Sequence, residues 1–178
     1  MSWFKRPKRD KNSLPKKVIP DGLWTKCPDC SEFIFHKGLK DNLYVCAKCD
    51  YHFVITAQDR INLLIDKGTF KEIDKDLESV DMLEFEGPKT YKAKLAEDKK
   101  KTGLKDAIIS GAGKIDGHNV NICVTDSRFI MGSMGSVVGE KITRAAELSL
   151  ETKDPLIIVS GSGGGARMYE GMFSLMQM

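Results

Sequence analysis

The sequence predicts an α/β protein headed by a small metal-binding module, and three observations carry that reading. Four cysteines stand in two close pairs, Cys27-x2-Cys30 and Cys46-x2-Cys49. Two strand-type runs meet at Asp116-Gly117. A stretch of helical period then gives way to the apolar run Leu156–Val159 and a glycine-rich loop, the strand–helix–strand alternation of a parallel crossover.

Residues 1–20 carry seven basic side chains against Asp10 alone, which leaves everything after Pro20 at −3 out of a formal total of +3. Residues 1–21 read as a disordered basic tail, with weak contact to nucleic acid or another acidic surface as the alternative. The charged start is not followed by the apolar stretch of a secretory signal, and no apolar run approaches the length of a membrane span. Four of the five cysteines sit in tight pairs, which suits a metal in a reducing, cytoplasmic setting better than a disulfide framework. The fifth, Cys123, lies in an apolar strand pattern and reads as core.

Residues 22–55 form the metal module. Each Cys-x2-Cys turn aims two sulfurs at one point. The segment between the pairs, SEFIFHKGLKDNLYV, has room for a hairpin with Phe33–Phe35 going out and Leu43–Val45 returning. Four thiolates predict one structural zinc in a closed site without an open coordination position, its charge offset by Lys26 and Lys48; a rubredoxin-type iron centre and a redox pair are the alternatives. His36 and His52 are surface residues on this reading, since four sulfurs already complete the coordination.

Thr56, with Asp59 three residues on, predicts a capped helix start, and Ile61, Leu64 and Ile65 carry the helix over 57–67. Residues 69–88 are irregular. Thr90 opens a charged helix that runs to about Lys101 and stops at Gly103. Ala107–Ile115 and His118–Thr125 make a hairpin through Asp116-Gly117. A glycine-bearing loop leads into a helix over 137–152, on which Glu140 and Lys141 are expected to be solvated. Asp154-Pro155 breaks it before the next strand. The methionines at 131, 134, 168, 172, 176 and 178 suit core or interface filling.

Gly161–Arg167, GSGGGAR, sits where a buried strand ends and a helix begins. Glycines there admit a ligand close to the backbone, and free helix-terminal N–H groups suit a phosphate or an oxyanion on a thioester carbonyl. The loop also fits a loose dinucleotide fingerprint, although the acidic residue expected about twenty positions later falls beyond Met178. Arg167 suits an anion and an ion pair equally. No histidine is spaced to make a triad with Ser127.

The four-cysteine finger, KTGLKDA at 101–107, DSRF at 126–129, MGSMGSVVGEKITRA at 131–145 and GGARMYEGMFSLMQM at 164–178 together resemble the carboxyltransferase β-subunit family of bacterial acetyl-coenzyme A carboxylase. The resemblance covers everything after the tail. It implies a zinc ribbon followed, over 56–178, by the first part of a crotonase-like (ClpP/crotonase) domain. It further implies an α2β2 assembly with an α subunit, working with biotin carboxylase and the biotin carboxyl carrier protein. That assembly moves a carboxyl group from carboxybiotin to acetyl-coenzyme A and makes malonyl-coenzyme A for fatty acid synthesis. Released biotin can take the methyl proton, so the protein supplies backbone donors for enolate-like oxygens. By the same resemblance Gly164 and Gly165 are the backbone oxyanion donors, while Gly163, Ala166 and Arg167 lie on the coenzyme A side. Where that family usually reads SASGGARM, residues 161–168 read GSGGGARM, which implies a looser loop. The chain also stops before the family's second glycine pair, so it is expected to be inactive alone. The alternative function is a zinc-ribbon module for nucleic-acid binding or regulation.

Overall fold

The computed structural model describes residues 22–161 and 163–177, so the basic tail lies outside the described residues. The chain divides into two units, with the boundary between Val54 and Ile55.

In the first unit, β1 (Trp24–Lys26) pairs antiparallel with β2 (Phe33–Phe35). The segment expected to return as a hairpin instead continues from β2 into the short helix α1 (His36–Asp41). The reason lies in the pairing: β2 takes its partner from before the first cysteine pair, and Leu39 then turns inward as a buried anchor. Val45 forms an isolated antiparallel bridge with His52, which brings the second cysteine pair into place.

The second unit is built on a four-stranded sheet in the order β3-β4-β5-β6. Its strands are β3 (Lys71–Ile73), β4 (Ile108–Ile115), β5 (His118–Thr125) and β6 (Leu156–Val159). The Asp116-Gly117 turn takes positive φ at both residues, 49° and 81°, as a two-residue hairpin turn requires. β6 joins β5 in parallel after the crossover helix α4 (Ser136–Thr152). Strand alternation sends successive side chains to opposite faces. Ile109, Val120, Ile122 and Val124 pack with Ala57, Ile61 and Ile65 of and just after α2 (Ala57–Leu64). Ile108 and Cys123 face the other way, against α3 (Tyr91–Thr102) and α4 through Tyr91, Leu95, Val138 and Ala145. The result is three layers, helix–sheet–helices, with Cys123 fully buried as expected and its thiol pushed up to about 11 by burial.

Local signals place the helix starts. The Thr56 hydroxyl accepts from the Asp59 amide at 3.0 Å, and Thr90 accepts from Ala93 at 3.3 Å. Gly103 ends α3 in the left-handed region at φ 73°. Two expectations need correction. β3 lies inside the stretch read as irregular, because its sequence KEI has no two-residue apolar alternation. Lys141 is buried, at 1% exposure, not solvated. α4 turns it under the sheet with Nζ 3.5 Å from the Ile108 carbonyl, where burial lowers its pKa. Met131, Met168, Met172 and Met176 are exposed, so they fill no core within the described residues.

Candidate functional site

The four-cysteine centre is built from two matching knuckles. In the first, the Cys27 amide donates to the Glu32 carbonyl and the Ser31 amide to the Cys27 carbonyl; in the second, Cys46 donates to Tyr51 and Asp50 to Cys46. Each knuckle closes on a left-handed residue just after its second cysteine, Ser31 at φ 60° and Asp50 at φ 59°. The four sulfurs lie within 4.8 Å of one another, with Cys27–Cys49 and Cys30–Cys46 separations of 3.7 Å each. Tetrahedral zinc with Zn–S of about 2.3 Å requires sulfurs about 3.8 Å apart, so the cage fits the ion. The thiols by themselves are shifted in opposite directions, Cys46 lowered to about 7, chiefly by the amide of Lys48, and Cys49 pushed up by burial, so the ion itself must draw the protons from the cage. His36 and His52 are exposed and stand outside this sulfur cluster. The face of the β1–β2 ribbon carries Trp24, Phe33 and Phe35, all exposed, with Lys26 among them.

In the second unit the glycine loop follows β6 and runs beside the 131–135 segment. Met134 and Ala166 form a parallel bridge: the Met134 amide donates to the Gly165 carbonyl at 2.9 Å, and the Arg167 amide to the Met134 carbonyl at 2.8 Å. At Gly164 an added Cβ would lie 2.6 Å from the Ser133 nitrogen and 2.7 Å from the Met131 carbonyl oxygen, so the two backbones touch only because no side chain is there. Gly161 is held too, its amide donating to the Thr125 hydroxyl at 2.8 Å. A serine Cβ at 161 would meet the Thr125 carbonyl oxygen at 2.7 Å, whereas Gly163 has open space around it.

Among the described residues, the amides of Gly164, Gly165 and Ala166 donate to no protein acceptor. These three residues line a cavity of about 470 Å³, together with Lys94, Asp98, Lys101, Arg128 and Tyr169; Lys94 is paired with Asp98 at 2.8 Å and Arg128 with Asp126 at 2.7 Å. Unpaired amides beside cationic side chains suit an anionic ligand or a carbonyl oxygen that gains charge. No α-helix starts directly at the loop, contrary to expectation. A 3₁₀ turn (Met168–Glu170) follows, and Gly171 at φ 53° separates it from the short α5 (Met172–Met176). The donors therefore owe their alignment to the bridge with Met134 and not to a helix dipole.

Arg167 needs a clear correction as a coenzyme-facing residue. Its side chain has no exposed surface, and every N–H is committed inside the protein. Nη2 reaches Asp106 Oδ1 at 2.7 Å and the Ser133 carbonyl at 2.9 Å. Nη1 reaches Asp106 Oδ2 and the Tyr91 hydroxyl, each at 3.1 Å, the Ser79 hydroxyl at 3.0 Å and Glu170 Oε1 at 3.3 Å; Nε reaches Ser133 Oγ at 3.4 Å. Burial alone would raise the Asp106 pKa, but the guanidinium and the Ser79 hydroxyl outweigh it and hold the carboxyl below its ordinary range. Glu170 is likewise pushed up by burial yet held low overall by the Ser136 amide, Tyr91 and Arg167. Sequence reasoning missed this cluster, since Ser79, Tyr91 and Asp106 stand far from Arg167 along the chain. It also missed Lys94, Asp98, Lys101 and Arg128 as cavity-lining residues; Lys101 and Arg128 stand in KTGLKDA and DSRF, while Lys94 and Asp98 lie in the charged helix with no motif around them.

Comparison with known families and structures follows the same division. The Carboxyl transferase domain family matches residues 55–178, and the Acetyl-CoA carboxylase zinc finger domain matches residues 24–49. The acetyl-coenzyme A carboxylase carboxyl transferase subunit beta of Citrifermentans bemidjiense is 50% identical over all of this chain, which spans 64% of that protein. A Clostridium tetani protein named for subunits beta/alpha is 52% identical over 93% of this chain, which covers 28% of it. Among solved structures, the 12S core of transcarboxylase, a hexamer with methylmalonyl-coenzyme A bound, is 28% identical with a TM-score of 0.55. That match covers 68% of this chain and 21% of the other. The chain thus spans less than two thirds of the curated relatives it resembles.

Proposed function

The chain belongs to the carboxyl transferase family, a four-cysteine zinc ribbon leading into a crotonase-like α/β body, and from this premise we propose that it serves as the β-type half of a biotin-dependent acetyl-coenzyme A carboxyltransferase. The observation that carries the reading is the run of three unpaired amides at Gly164, Gly165 and Ala166 on the wall of a cavity that Lys101 also lines. Carboxyl transfer to a thioester removes a methyl proton and develops negative charge on the thioester oxygen. Fixed N–H donors stabilise that charge without a side-chain nucleophile. Gly164 and Gly165 act as these donors, and Gly163 and Ala166 border the thioester side. Lys101 supplies positive charge for the anionic groups of the coenzyme, beside the Lys94–Asp98 and Arg128–Asp126 pairs. Carboxybiotin, presented by its carrier protein after biotin carboxylase has loaded it, supplies the carboxyl group, and the freed biotin nitrogen takes the methyl proton. Zinc belongs to the sulfur cage alone and holds the ribbon together.

An α-type subunit completes the site in a cytoplasmic α2β2 assembly. The naming of one Clostridium tetani relative for both subunits supports such a pairing. Among the described residues no helix is long and apolar enough to cross a membrane, which agrees with that setting. Mixed with a matching α subunit, carboxybiotin and acetyl-coenzyme A, the chain in its complete protein should form malonyl-coenzyme A, and either subunit alone should not. Equal turnover by the β-type protein alone would overturn the shared site.

A second reading is favoured by the exposed Trp24, Phe33 and Phe35 beside Lys26: the ribbon face is a stacking platform for single-stranded nucleic acid. Binding should weaken steeply with salt and fall on Trp24→Ala and Phe33→Ala. Affinity untouched by both substitutions would remove this reading.

A further inference from the structure

We infer that Arg167, Asp106, Glu170 and Tyr91 form a positioning clamp that sets the three free amides of the glycine loop; the inference rests on the use of those amides proposed above. Four observations meet at this cluster. First, Arg167 directly follows Ala166, so fixing its guanidinium fixes the end of the donor run. Second, the same guanidinium grips the opposite loop through the Ser133 carbonyl, and the backbone bridge between Met134 and Ala166 lies between the two grips. Third, Glu170 supplies what α4 lacks. The N-cap of α4 is Gly135, which has no side-chain acceptor, and Glu170 Oε2 takes the Ser136 amide at 2.6 Å in its place. Fourth, Gly135 leaves room for this approach: an added Cβ would sit 2.5 Å from Glu170 Oε1 and 2.9 Å from Arg167 Cζ.

The cluster therefore touches both glycine loops, the start of β4 through Asp106, and the start of α3 through Tyr91. Burying two carboxylates and a guanidinium is a poor route to stability alone, because well-packed apolar side chains do as well or better. What the charged, forked geometry adds is direction. Arg167 aims two parallel N–H bonds at Asp106 while a third holds the Ser133 carbonyl, and each bond is angle-dependent. These are positioning residues: they have no free surface in the cavity and act through the loop they hold. Tyr91 is the hinge pin, since its hydroxyl donates to Glu170 while accepting from Arg167.

The test uses Tyr91→Phe and Glu170→Gln, which keep shape, with Arg167→Lys, which keeps charge but loses the fork. Amide hydrogen exchange in the chain itself reads the clamp directly. Exchange at Met134 and Arg167, the two bridge donors, should accelerate on the order of tenfold in Tyr91→Phe, while Ile122 in β5 keeps its wild-type rate. In the assembled carboxyltransferase the same variants should lower kcat on the order of 10²-fold and leave KM for acetyl-coenzyme A nearly unchanged, because displaced donors fail the transition state before they fail ground-state binding. Arg167→Lys should not restore the rate. Unchanged exchange at Met134 and Arg167 in Tyr91→Phe would overturn the clamp, and so would faster exchange with wild-type kcat. A parallel rise at Ile122 would reduce the cluster to a stability element and overturn its positioning role. If the wild-type assembly itself formed no malonyl-coenzyme A, the functional reading would fall, and the exchange arm would still decide the clamp.

Discussion

Stripping the metal from the four-cysteine site should unfold residues 24–49 and leave the 55–178 body folded. The ribbon has little else to hold it. Its buried apolar side chains amount to Leu39 and Tyr44 beside Cys27 and Cys46, while Trp24, Phe33, Phe35 and Leu43 stay exposed. Two three-residue strands and one six-residue helix fall far below the size at which secondary structure persists unaided. Zinc binding to such modules supplies about 10–16 kcal/mol at neutral pH, and that free energy is the folding free energy of the unit. Cys30→Ser should act in the same direction, since three thiolates close the cage poorly. Amide spectra recorded before and after a strong chelator give the test: resonances of the ribbon should collapse to unfolded positions while those of β4, β5 and α4 stay. A ribbon spectrum unchanged by chelation, or a metal analysis without zinc, would overturn the assignment.

What the sequence made legible was local. The hairpin at Asp116-Gly117, the caps at Thr56 and Thr90 and the left-handed stop at Gly103 each depend on residues within one turn, and each lies where the pattern placed it. The two Cys-x2-Cys pairs behave in the same way, because the knuckle is a property of five consecutive residues. The path between them was not legible: whether residues 33–45 form a hairpin depends on the partner that β2 finds, and that partner lies before Cys27. The burial of Lys141 follows from which side of α4 meets the sheet, and a lone lysine in an amphipathic stretch looks solvated by default. Arg167 is the sharpest case. Its bond to Ser79 spans 88 positions and its bonds to Asp106 span 61, so no local signal separates a ligand-binding arginine from a buried one. The glycines show the opposite limit. Their presence was plain, but Gly164 is required by a close approach to residues 131–133 that only the fold reveals.

Arg167→Leu should cost the body roughly 3–5 kcal/mol, the loss expected when one partner is removed from a buried ion pair. That is a large part of the roughly 5–15 kcal/mol available to a domain. The substitution strands two carboxylates, since Asp106 and Glu170 are both buried and lose their guanidinium at once. The pH dependence separates this cause from a simple packing loss. In the wild type both carboxyls are held below their unfolded values, so their contribution is complete above about pH 4 and is lost as pH falls through the lower folded values. In Arg167→Leu burial is left without the guanidinium to oppose it, and the folded pKa of Asp106 rises above its unfolded value. The ionised carboxylate then penalises folding at neutral pH, and the penalty fades as acid protonates it. The stability gap between wild type and variant should therefore narrow steadily from pH 7 towards pH 4. Arg167→Leu combined with Asp106→Leu should recover much of the loss at pH 7, because the second change removes the stranded charge. Urea unfolding of the single and double variants across this range measures both effects. A gap that stays constant with pH, or a double variant weaker than the single by the full cost of a second cavity, would show that packing and not charge holds this cluster together.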